Sequence, residues 1–202
     1  MADEGLLPQL ATGANADVQS VDWMFEPFWP GQRLMVRIDE HATRVTDERG
    51  NPAGDDLRGV AGLVRAAVTA RQALIDGVWS AHPFRGDEGE SRRAYVAVDL
   101  VELDGESLAD VPFQERRRVL ESVIDEGVQV RVSPVVKQPI GGWLTGWRAN
   151  GFTHYVAKHM NSRYEHGTRS DEWLKIPTRD TPQHGFVGRL VGSRERVRRI
   201  RD

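Results

Sequence analysis

The strongest structural signal in this chain is one strand that a turn joins to a helix. The segment RRAYVAVDLVELDG (92–105) is rich in valine, leucine and aromatic residues, as is typical of a β-strand, and it ends in an Asp-Gly turn. SLADVPFQERRRVLESVIDEG (107–127) follows with the boundaries of a helix, Pro112 near its start and Gly127 at its end. Any fold of this chain must therefore combine a sheet with at least one helix.

The remaining segments predict more strands than helices. Residues 55–71 carry apolar side chains at helical spacing, and residues 139–151 form a short helix that glycine weakens. Residues 72–84 are interpreted as a strand, a turn at Asp76-Gly77 and a second strand. Further strands are predicted at 33–39, 42–48, 128–136, 152–160, 171–177 and 185–193. Helices inserted singly between groups of strands predict an α+β fold of largely antiparallel sheets flanked by helices.

Length and charge favour one soluble domain. Residues 1–20 are polar and without periodicity, so they are predicted to be a flexible segment before a domain at 21–192 and an arginine-rich tail at 193–202. The net charge of -3 gives no overall attraction to nucleic acid or to an anionic membrane. No apolar run approaches the roughly 18 residues that span a bilayer, and the N-terminus lacks a signal sequence, so we expect a cytoplasmic protein.

The sequence excludes sites that need cysteine and disfavours a metal site formed by histidines. The chain has no cysteine, which excludes disulfides, thiolate catalysis and cysteine-ligated metals. His154, His159 and His166 are close in sequence, but the first two are five residues apart and would point to opposite faces of a strand. We therefore expect no metal site there. Asp99 and Asp104, at a strand and at its turn, are expected to be structural.

Positive charge is divided unevenly between arginine and lysine. Of 27 basic residues only three are lysine, Lys137, Lys158 and Lys175. The end of the chain, GRLVGSRERVRRIRD, concentrates six arginines against two acids, which is typical either of a solvated end or of a patch for nucleic-acid phosphates. The candidate nucleic-acid contacts are Arg194, Arg196, Arg198, Arg199 and Arg201.

Three segments resemble the adenylation domain of ATP-dependent DNA ligases, which belong to the nucleotidyltransferase superfamily. They are FEPFWPGQRLMVRID from residue 25, YVAVDLVELDGESLADVPFQERRRVLESV (95–123) and GFTHYVAKHMNSRYEHGTRSDEWLKI (151–176), in the order that the family has. The likeness covers roughly residues 23–190 and implies the ligase-type nucleotidyltransferase (ATP-grasp-like adenylation) fold. The chain stops where the family's oligonucleotide-binding (OB) domain would begin, so we expect it to lack that domain.

The resemblance also implies a chemistry. In the family a lysine of a KxDG motif attacks the α-phosphate of ATP and forms a covalent lysyl-AMP. A Glu contacts the ribose, an aromatic residue stacks on adenine, a second Glu handles the metal, and two lysines surround the phosphate. Other residues stand at most of these positions: Phe28 for the nucleophile, Pro30 for the motif aspartate, Val78 for the ribose Glu, Val98 for the aromatic, Thr153 for the metal Glu and Pro177 for the last lysine.

Some positions of the family pattern are retained, and their role is open. Lys158, Lys175 and Arg33 either keep contact with a phosphate or nucleotide or are now paired with carboxylates. Phe28 and Trp29 are expected to fill the former pocket with apolar bulk, with a surface for a partner as the alternative.

The resemblance therefore implies a ligase-like pseudoenzyme that acts as a binding or assembly module in a DNA-related process. Its partner would be a protein or nucleic acid, not a membrane. It would need no cofactor, with residual ATP or AMP binding as the open alternative. The competing interpretation is a divergent, active nucleotidyltransferase or nucleotide-binding protein that uses Lys158 or Lys175.

Overall fold

The computed structural model describes residues 7–81 and 93–179 of the chain. This part contains ten strands and three α-helices. The strands are β1 (Leu10–Gly13), β2 (Trp23–Pro27), β3 (Gln32–Ile38), β4 (Thr43–Asp47), β5 (Ala73–Ser80), β6 (Ala94–Leu103), β7 (Glu106–Ser107), β8 (Val130–Val132), β9 (His154–His159) and β10 (Arg169–Pro177). The helices are α1 (Arg58–Ala67), which follows a 3₁₀ turn at Asp55–Leu57, α2 (Phe113–Val123) and α3 (Gly141–Ala149). None of the helices in this part is long and apolar enough to cross a membrane.

The strands form two sheets of different size. The larger sheet has the order β4-β3-β5-β6-β7, with β8 beside β6, and its pairings are antiparallel except that of β6 with β8. The smaller sheet has the order β1-β10-β9-β2, and only β1 runs parallel to its neighbour. The predicted α+β fold with largely antiparallel sheets is thus confirmed.

One face of the larger sheet packs against helices. Leu34, Val36 and Ile38 alternate along β3 and form a buried cluster with Val60 and Val64 of α1. Burial of each of these side chains contributes about 1.5–3 kcal/mol to folding before entropy is subtracted. Helices α1 and α2 therefore cover this face, and the opposite face is left for the smaller sheet and for α3.

The opposite face packs against the smaller sheet. Val96 and Val98 of β6 form a second buried cluster with Phe25 of β2 and with Tyr155 and Ala157 of β9. Because side chains alternate along a strand, β6 contributes to the helix-covered core and to the core between the sheets at once. The apolar residues that made this segment the clearest strand in the sequence, interrupted only by Asp99 and Glu102, reflect burial on both faces.

The prediction of a turn at Asp76-Gly77 is wrong. One continuous strand, β5, runs from Ala73 to Ser80, and both residues are buried in its middle. A Cβ on Gly77 would lie only 2.4 Å from Cζ of Tyr95, so a glycine is needed for the ring of the neighbouring strand to pack against the backbone. The part of the predicted second strand beyond residue 81 lies outside the described residues.

Other differences concern the ends of elements. The predicted flexible segment 1–20 contains β1, which pairs with β10 through its main chain. Its four residues show no alternation of apolar and polar side chains, so their sequence carries no sign of a strand. The helix predicted over 107–127 begins only at Phe113, because residues 106–107 pair with β6 as β7. The predicted strand 185–193 and the tail 193–202 lie outside the described residues, so no structural position is given for the five tail arginines.

Candidate functional site

A cavity of about 250 Å³ lies between the two sheets. Strands of both sheets line it, together with the loop that joins β2 to β3. The lining residues are Gln9, Leu10, Ala11, Glu26, Phe28, Trp29, Gly31, Arg33, Glu48, Val78, Val156, Lys158, Arg169, Trp173 and Lys175. The sequence predictions Phe28, Arg33, Val78, Lys158 and Lys175 are therefore brought together at one place.

The loop between β2 and β3 is held close to β5. A Cβ on Gly31, whose φ is +152°, would lie 2.3 Å from the carbonyl oxygen of Trp79, so only glycine fits without a shift of the backbone. The hydroxyl of Ser80 donates a 2.6 Å hydrogen bond to the carbonyl oxygen of Pro30. The indole Nε1 of Trp29 donates a 2.8 Å bond to Oγ of Ser133. The backbone N–H of Phe28 donates a 3.0 Å bond to the carbonyl oxygen of His154, and together these contacts hold Phe28 at the cavity.

Lys158 is buried and fully engaged. Its Nζ lies 2.8 Å from Oε1 of Glu26 and donates a 3.1 Å hydrogen bond to the carbonyl oxygen of Val98. The same ammonium lies 3.9 Å from the ring centroid of Trp173 and 4.6 Å from that of Phe113. Because only 1% of Lys158 is exposed, the ion pair and the rings replace water as its surroundings.

Arg33 is also paired. Its Nε and Nη2 donate bonds of 2.6 and 2.7 Å to the two carboxylate oxygens of Asp76, which is fully buried. The hydroxyl of Tyr164 donates a further 2.7 Å bond to Asp76. Burial alone would lower the pKa of Arg33, but Asp76 outweighs it and raises the pKa. The alternative in which Arg33 forms a structural ion pair is the one that the geometry supports.

Lys175 has different surroundings from those of Lys158. Its Nζ lies 3.6 Å from the ring centroid of Phe28, which makes a cation–π contact, and the same ring meets His154 in an edge-type contact at a centroid distance of 6.2 Å. Burial, followed by the nearby charge of Arg169, lowers the pKa of Lys175. Burial and the charge of Lys175 likewise lower the pKa of His154. Positive charge is therefore crowded at this end of the cavity.

The other positions singled out from the sequence lie around this cavity or away from it. Val98 is buried in the core between the sheets, where its carbonyl oxygen accepts the bond from Lys158. Thr153 is exposed beside β9, and its Oγ1 lies 2.9 Å from Nδ1 of His154. Pro30 is exposed in the loop, and Pro177 ends β10 opposite His154. None of these four side chains is among those that line the cavity.

Sequence reasoning missed several polar residues that the fold brings to the cavity. Gln9 comes from the segment predicted to be flexible, yet it is 1% exposed and its amide Oε1 accepts a bond from the backbone of Glu165. Arg169 begins β10 and donates a 2.6 Å bond to the carbonyl oxygen of Ala11. Glu48 is exposed just after β4. The pairing of β1 with β10 brings Gln9 and Arg169 to the cavity. No local sequence pattern indicates such a long-range pairing.

A third ion pair lies outside the cavity lining. Nε and Nη2 of Arg116 donate bonds of 2.9 and 2.8 Å to Asp99, and all of these side-chain groups are fully buried. Nη1 of Arg116 also bonds to the carbonyl oxygens of Val111 and Ser162. The structural role expected for Asp99 thus has a specific partner. Asp104, whose φ is 47°, accepts hydrogen bonds from the backbone N–H groups of Arg71 and Gln72, so its role is also structural.

Metal-binding clusters are not found in the described part of the chain. No group of three or more His, Asp or Glu side chains within residues 7–81 and 93–179 is arranged to hold a metal ion. His159 instead meets the edge of Trp23 and lies 3.9 Å from Glu172.

The fold and the segment order match a known family. A family model described as ATP dependent DNA ligase domain matches residues 71–176, which is more than half of the 202 residues. The chain belongs to the ATP-dependent DNA ligase domain family. The resemblance noted in the sequence is therefore confirmed, and the cavity of this ligase-family domain lies between its two sheets.

Curated relatives are longer than this ligase-family domain. The multifunctional non-homologous end joining DNA repair protein LigD of Mycobacterium tuberculosis is 27% identical in an alignment that covers 85% of this chain and 24% of LigD. A DNA ligase of Methanothrix thermoacetophila is 30% identical in an alignment that covers 86% of this chain and 34% of the ligase. The chain thus spans about a quarter to a third of the length of these relatives.

Solved structures agree with this membership. Mycobacterial DNA ligase D complexed with ATP and MES superposes with a TM-score of 0.69 at 25% identity, over 85% of this chain and 60% of that chain. The ligase domain of M. tuberculosis LigD gives a TM-score of 0.67 at 26% identity, over 84% of this chain and 58% of that one. Chlorella virus DNA ligase-adenylate, at 16% identity and a TM-score of 0.61, shows the shared fold alone. The predicted ligase-type adenylation fold is confirmed.

Proposed function

We propose that this ligase-family domain is catalytically inactive as a nucleotidyltransferase and acts as a binding or assembly module in a DNA-related process in the cytoplasm. The observation that carries the proposal is the sequestration of Lys158. Its ammonium forms an ion pair with Glu26, donates a hydrogen bond to the carbonyl oxygen of Val98 and makes cation–π contacts with two aromatic rings. A nucleophilic lysine must present an accessible amine to its electrophile, and Lys158 is only 1% exposed.

The loop supports the same proposal. Phe28 lies at the cavity wall where the resemblance places the nucleophile, and a phenyl ring carries no atom that can attack a phosphate. Val78, at the ribose position, presents an apolar side chain to the cavity instead of a carboxylate. Arg33 is held by Asp76 in a bidentate pair and is not a free cation for a phosphate. The geometry favours a cavity that is closed to lysyl-nucleotide chemistry and for which no cofactor is required.

Lys175 gives the second candidate function a specific basis. It lines the cavity, and its pKa is lowered by burial and by Arg169, which increases the fraction of neutral amine near neutral pH. A divergent nucleotidyltransferase would use this amine in place of Phe28. Against it, the ammonium faces the ring of Phe28 at 3.6 Å, so attack on a nucleotide requires that contact to break.

An adenylation assay separates the two functions. The full chain is incubated with radiolabelled ATP or GTP and with Mg²⁺ or Mn²⁺, with the ligase domain of M. tuberculosis LigD as the positive control. The proposal expects no covalent protein label, and in particular no acid-labile, alkali-stable phosphoramidate, under conditions in which the control is labelled. A labelled band that disappears in Lys175→Met and persists in Lys137→Met would overturn the proposal and establish the second function.

The class of partner is tested separately. If the partner is nucleic acid, binding to nicked or single-stranded DNA should weaken steeply with salt, because phosphate contacts release counterions. Replacing Arg194, Arg196, Arg198, Arg199 and Arg201 together with glutamine should then reduce both the affinity and the slope of its logarithm against the logarithm of salt concentration. Absence of binding, or binding that salt does not change, favours a protein partner, which copurification with tagged chain from native cells would identify.

A further inference from the structure

We propose that the cavity between the sheets binds a small apolar monocarboxylate, with its carboxylate between Lys175 and Arg169. The inference rests on the proposed function, because it concerns what an inactive ligase-family cavity holds. It goes further by naming a ligand class that differs from a nucleotide.

The charges of the lining residues carry the first step. Four cations line the cavity: Arg33, Lys158, Arg169 and Lys175. Arg33 is neutralised by Asp76 and Lys158 by Glu26, in pairs at 2.6 and 2.8 Å. Both carboxylates are buried, so these two pairs are internal to the protein and leave little charge for a ligand.

The other two cations have no such partner. Within residues 7–81 and 93–179, no carboxylate forms an ion pair with Lys175 or Arg169, and Arg169 bonds only to the carbonyl oxygen of Ala11. The two positive charges repel each other, and this repulsion is the second cause, after burial, of the lowered pKa of Lys175. Glu48, exposed at the cavity, contributes one negative charge. Two cations and one carboxylate leave a net charge of +1, which matches a monoanion and not a nucleoside triphosphate.

The remaining lining indicates the rest of the ligand. Phe28, Trp29, Val78, Val156 and Trp173 present apolar surface to the cavity. The volume of about 250 Å³ is below the roughly 300–1,000 Å³ of typical pockets for drug-sized ligands, which favours a ligand of about one ring and a short chain.

An unused donor is consistent with an anionic ligand. Among the described residues Nε2 of Gln9 is buried without a hydrogen-bond partner, although Gln9 lines the cavity. A buried amide donor without an acceptor is costly, and a carboxylate oxygen would supply that acceptor. Among the described residues Oε2 of Glu26, an acceptor, is likewise buried without a hydrogen-bond partner. A ligand whose ring carries an N–H or O–H group could donate to it and would therefore bind more tightly than one with a plain phenyl ring.

Isothermal titration calorimetry on the full chain tests the proposal, with phenylacetate as the probe. Phenylacetamide, of the same shape but uncharged, and AMP are titrated in parallel. We expect phenylacetate to bind with a Kd on the order of 0.1–1 mM, given about ten non-hydrogen atoms. The amide should bind at least about tenfold more weakly, because charged hydrogen bonds contribute more than neutral ones.

Matched variants locate the carboxylate. Lys175→Met and Arg169→Met should each weaken phenylacetate binding about tenfold, while Arg163→Met, an exposed arginine paired with Asp110 outside the lining, should leave it unchanged. A bound carboxylate should also raise the pKa of Lys175, because it favours the charged form of the amine. Calorimetric titrations at about pH 9 in buffers of different ionisation enthalpy should then reveal proton uptake on binding. Lys175→Met should abolish that uptake.

The outcomes distinguish this inference from the proposed function. Equal binding of acid and amide, tighter binding of AMP than of phenylacetate, or no binding of phenylacetate would overturn the inference. The proposed function would then stand or fall on the adenylation assay alone. Covalent labelling by ATP would instead overturn the proposed function, whatever the calorimetry shows.

Discussion

Nζ of Lys158 lies 2.8 Å from Oε1 of Glu26, and the same atom bonds to the carbonyl oxygen of Val98 in the other sheet. Lys158 belongs to β9 and Glu26 to its neighbour β2, while Val98 lies on β6. One ammonium group thus connects the smaller sheet to the larger one at the wall of the cavity. Its surroundings are those of a structural contact between sheets, and its stability consequences can be measured.

Removing the lysine alone should be strongly destabilising. Lys158→Met leaves the carboxylate of Glu26 buried without a counterion, which we expect to lower the free energy of unfolding by about 3–5 kcal/mol. The double variant Lys158→Met with Glu26→Leu should recover most of that loss, because a buried pair contributes little net stability over an apolar replacement. Urea denaturation followed by circular dichroism measures both.

Lys137→Met is the control for that experiment. Lys137 is exposed, so its replacement should change the free energy of unfolding by no more than about 0.5 kcal/mol. A loss below about 1 kcal/mol for Lys158→Met would show that the ion pair is solvated or broken in solution.

Chemical labelling should distinguish the three lysines of the chain. Reductive methylation of the folded protein should modify Lys137, which is exposed, and Lys175, which is partly exposed and has a lowered pKa. Lys158 should stay unmodified until urea unfolds the chain, because it is 1% exposed and held by Glu26. Peptide mass spectrometry reads all three positions at once. Early modification of Lys158 would contradict its sequestration and weaken the case for an inactive domain.

Local sequence patterns located some strands of each sheet and missed others. Leu34, Val36 and Ile38 alternate on β3, and β6 is apolar apart from Asp99 and Glu102, so burial is visible in the residues themselves. By contrast, β1 consists of the residues LATG and is defined by its pairing with β10, more than 150 residues away. Such a strand is stabilised by backbone hydrogen bonds, which every residue except proline can make, and leaves no signature in composition.

The same limit applies to the cavity. Phe28, Lys158 and Lys175 were found because they occupy positions of a family pattern, and the fold does bring them together. Gln9 and Arg169 belong to no such pattern and reach the cavity through the pairing of β1 with β10. The partners of Arg33 and Lys158 could not be read from the sequence either, because ion pairs depend on side-chain geometry across strands.

The close contact between Gly77 and Tyr95 predicts an overpacked variant. Gly77→Ala places a methyl group 2.4 Å from Cζ of Tyr95, whose hydroxyl donates a 3.0 Å bond to the carbonyl oxygen of Ile75. We expect a loss of about 2–3 kcal/mol in the free energy of unfolding, measured by thermal and urea denaturation. Gly62→Ala is the matched control. It lies in α1 with nothing within 4 Å of the added Cβ, so it should stabilise the protein by about 0.5–1 kcal/mol.

The three tyrosines of the chain predict the alkaline limit of stability. Burial, together with the charge of Asp76, raises the pKa of Tyr95 and of Tyr164 well above 10, and burial with a hydrogen bond to Asp17 raises that of Tyr155. In the unfolded chain all three ionise near pH 10. The folded chain therefore holds more protons above that pH, and stability is fully present below pH 10 and falls as the pH rises further.

Each fully buried tyrosine should reduce the free energy of unfolding by about 1.4 kcal/mol per pH unit above pH 10, until its own folded pKa is reached. Ultraviolet absorbance of tyrosinate should show no ionisation near pH 10 while circular dichroism still reports the fold. Tyr164→Phe should reduce the steepness of the decline, at the cost of the hydrogen bond to Asp76. A tyrosine that titrates near pH 10 in the folded protein would mean that the buried cluster around it opens to water: the helix-covered core for Tyr95, the core between the sheets for Tyr155, and the cluster with Trp173 at the cavity wall for Tyr164.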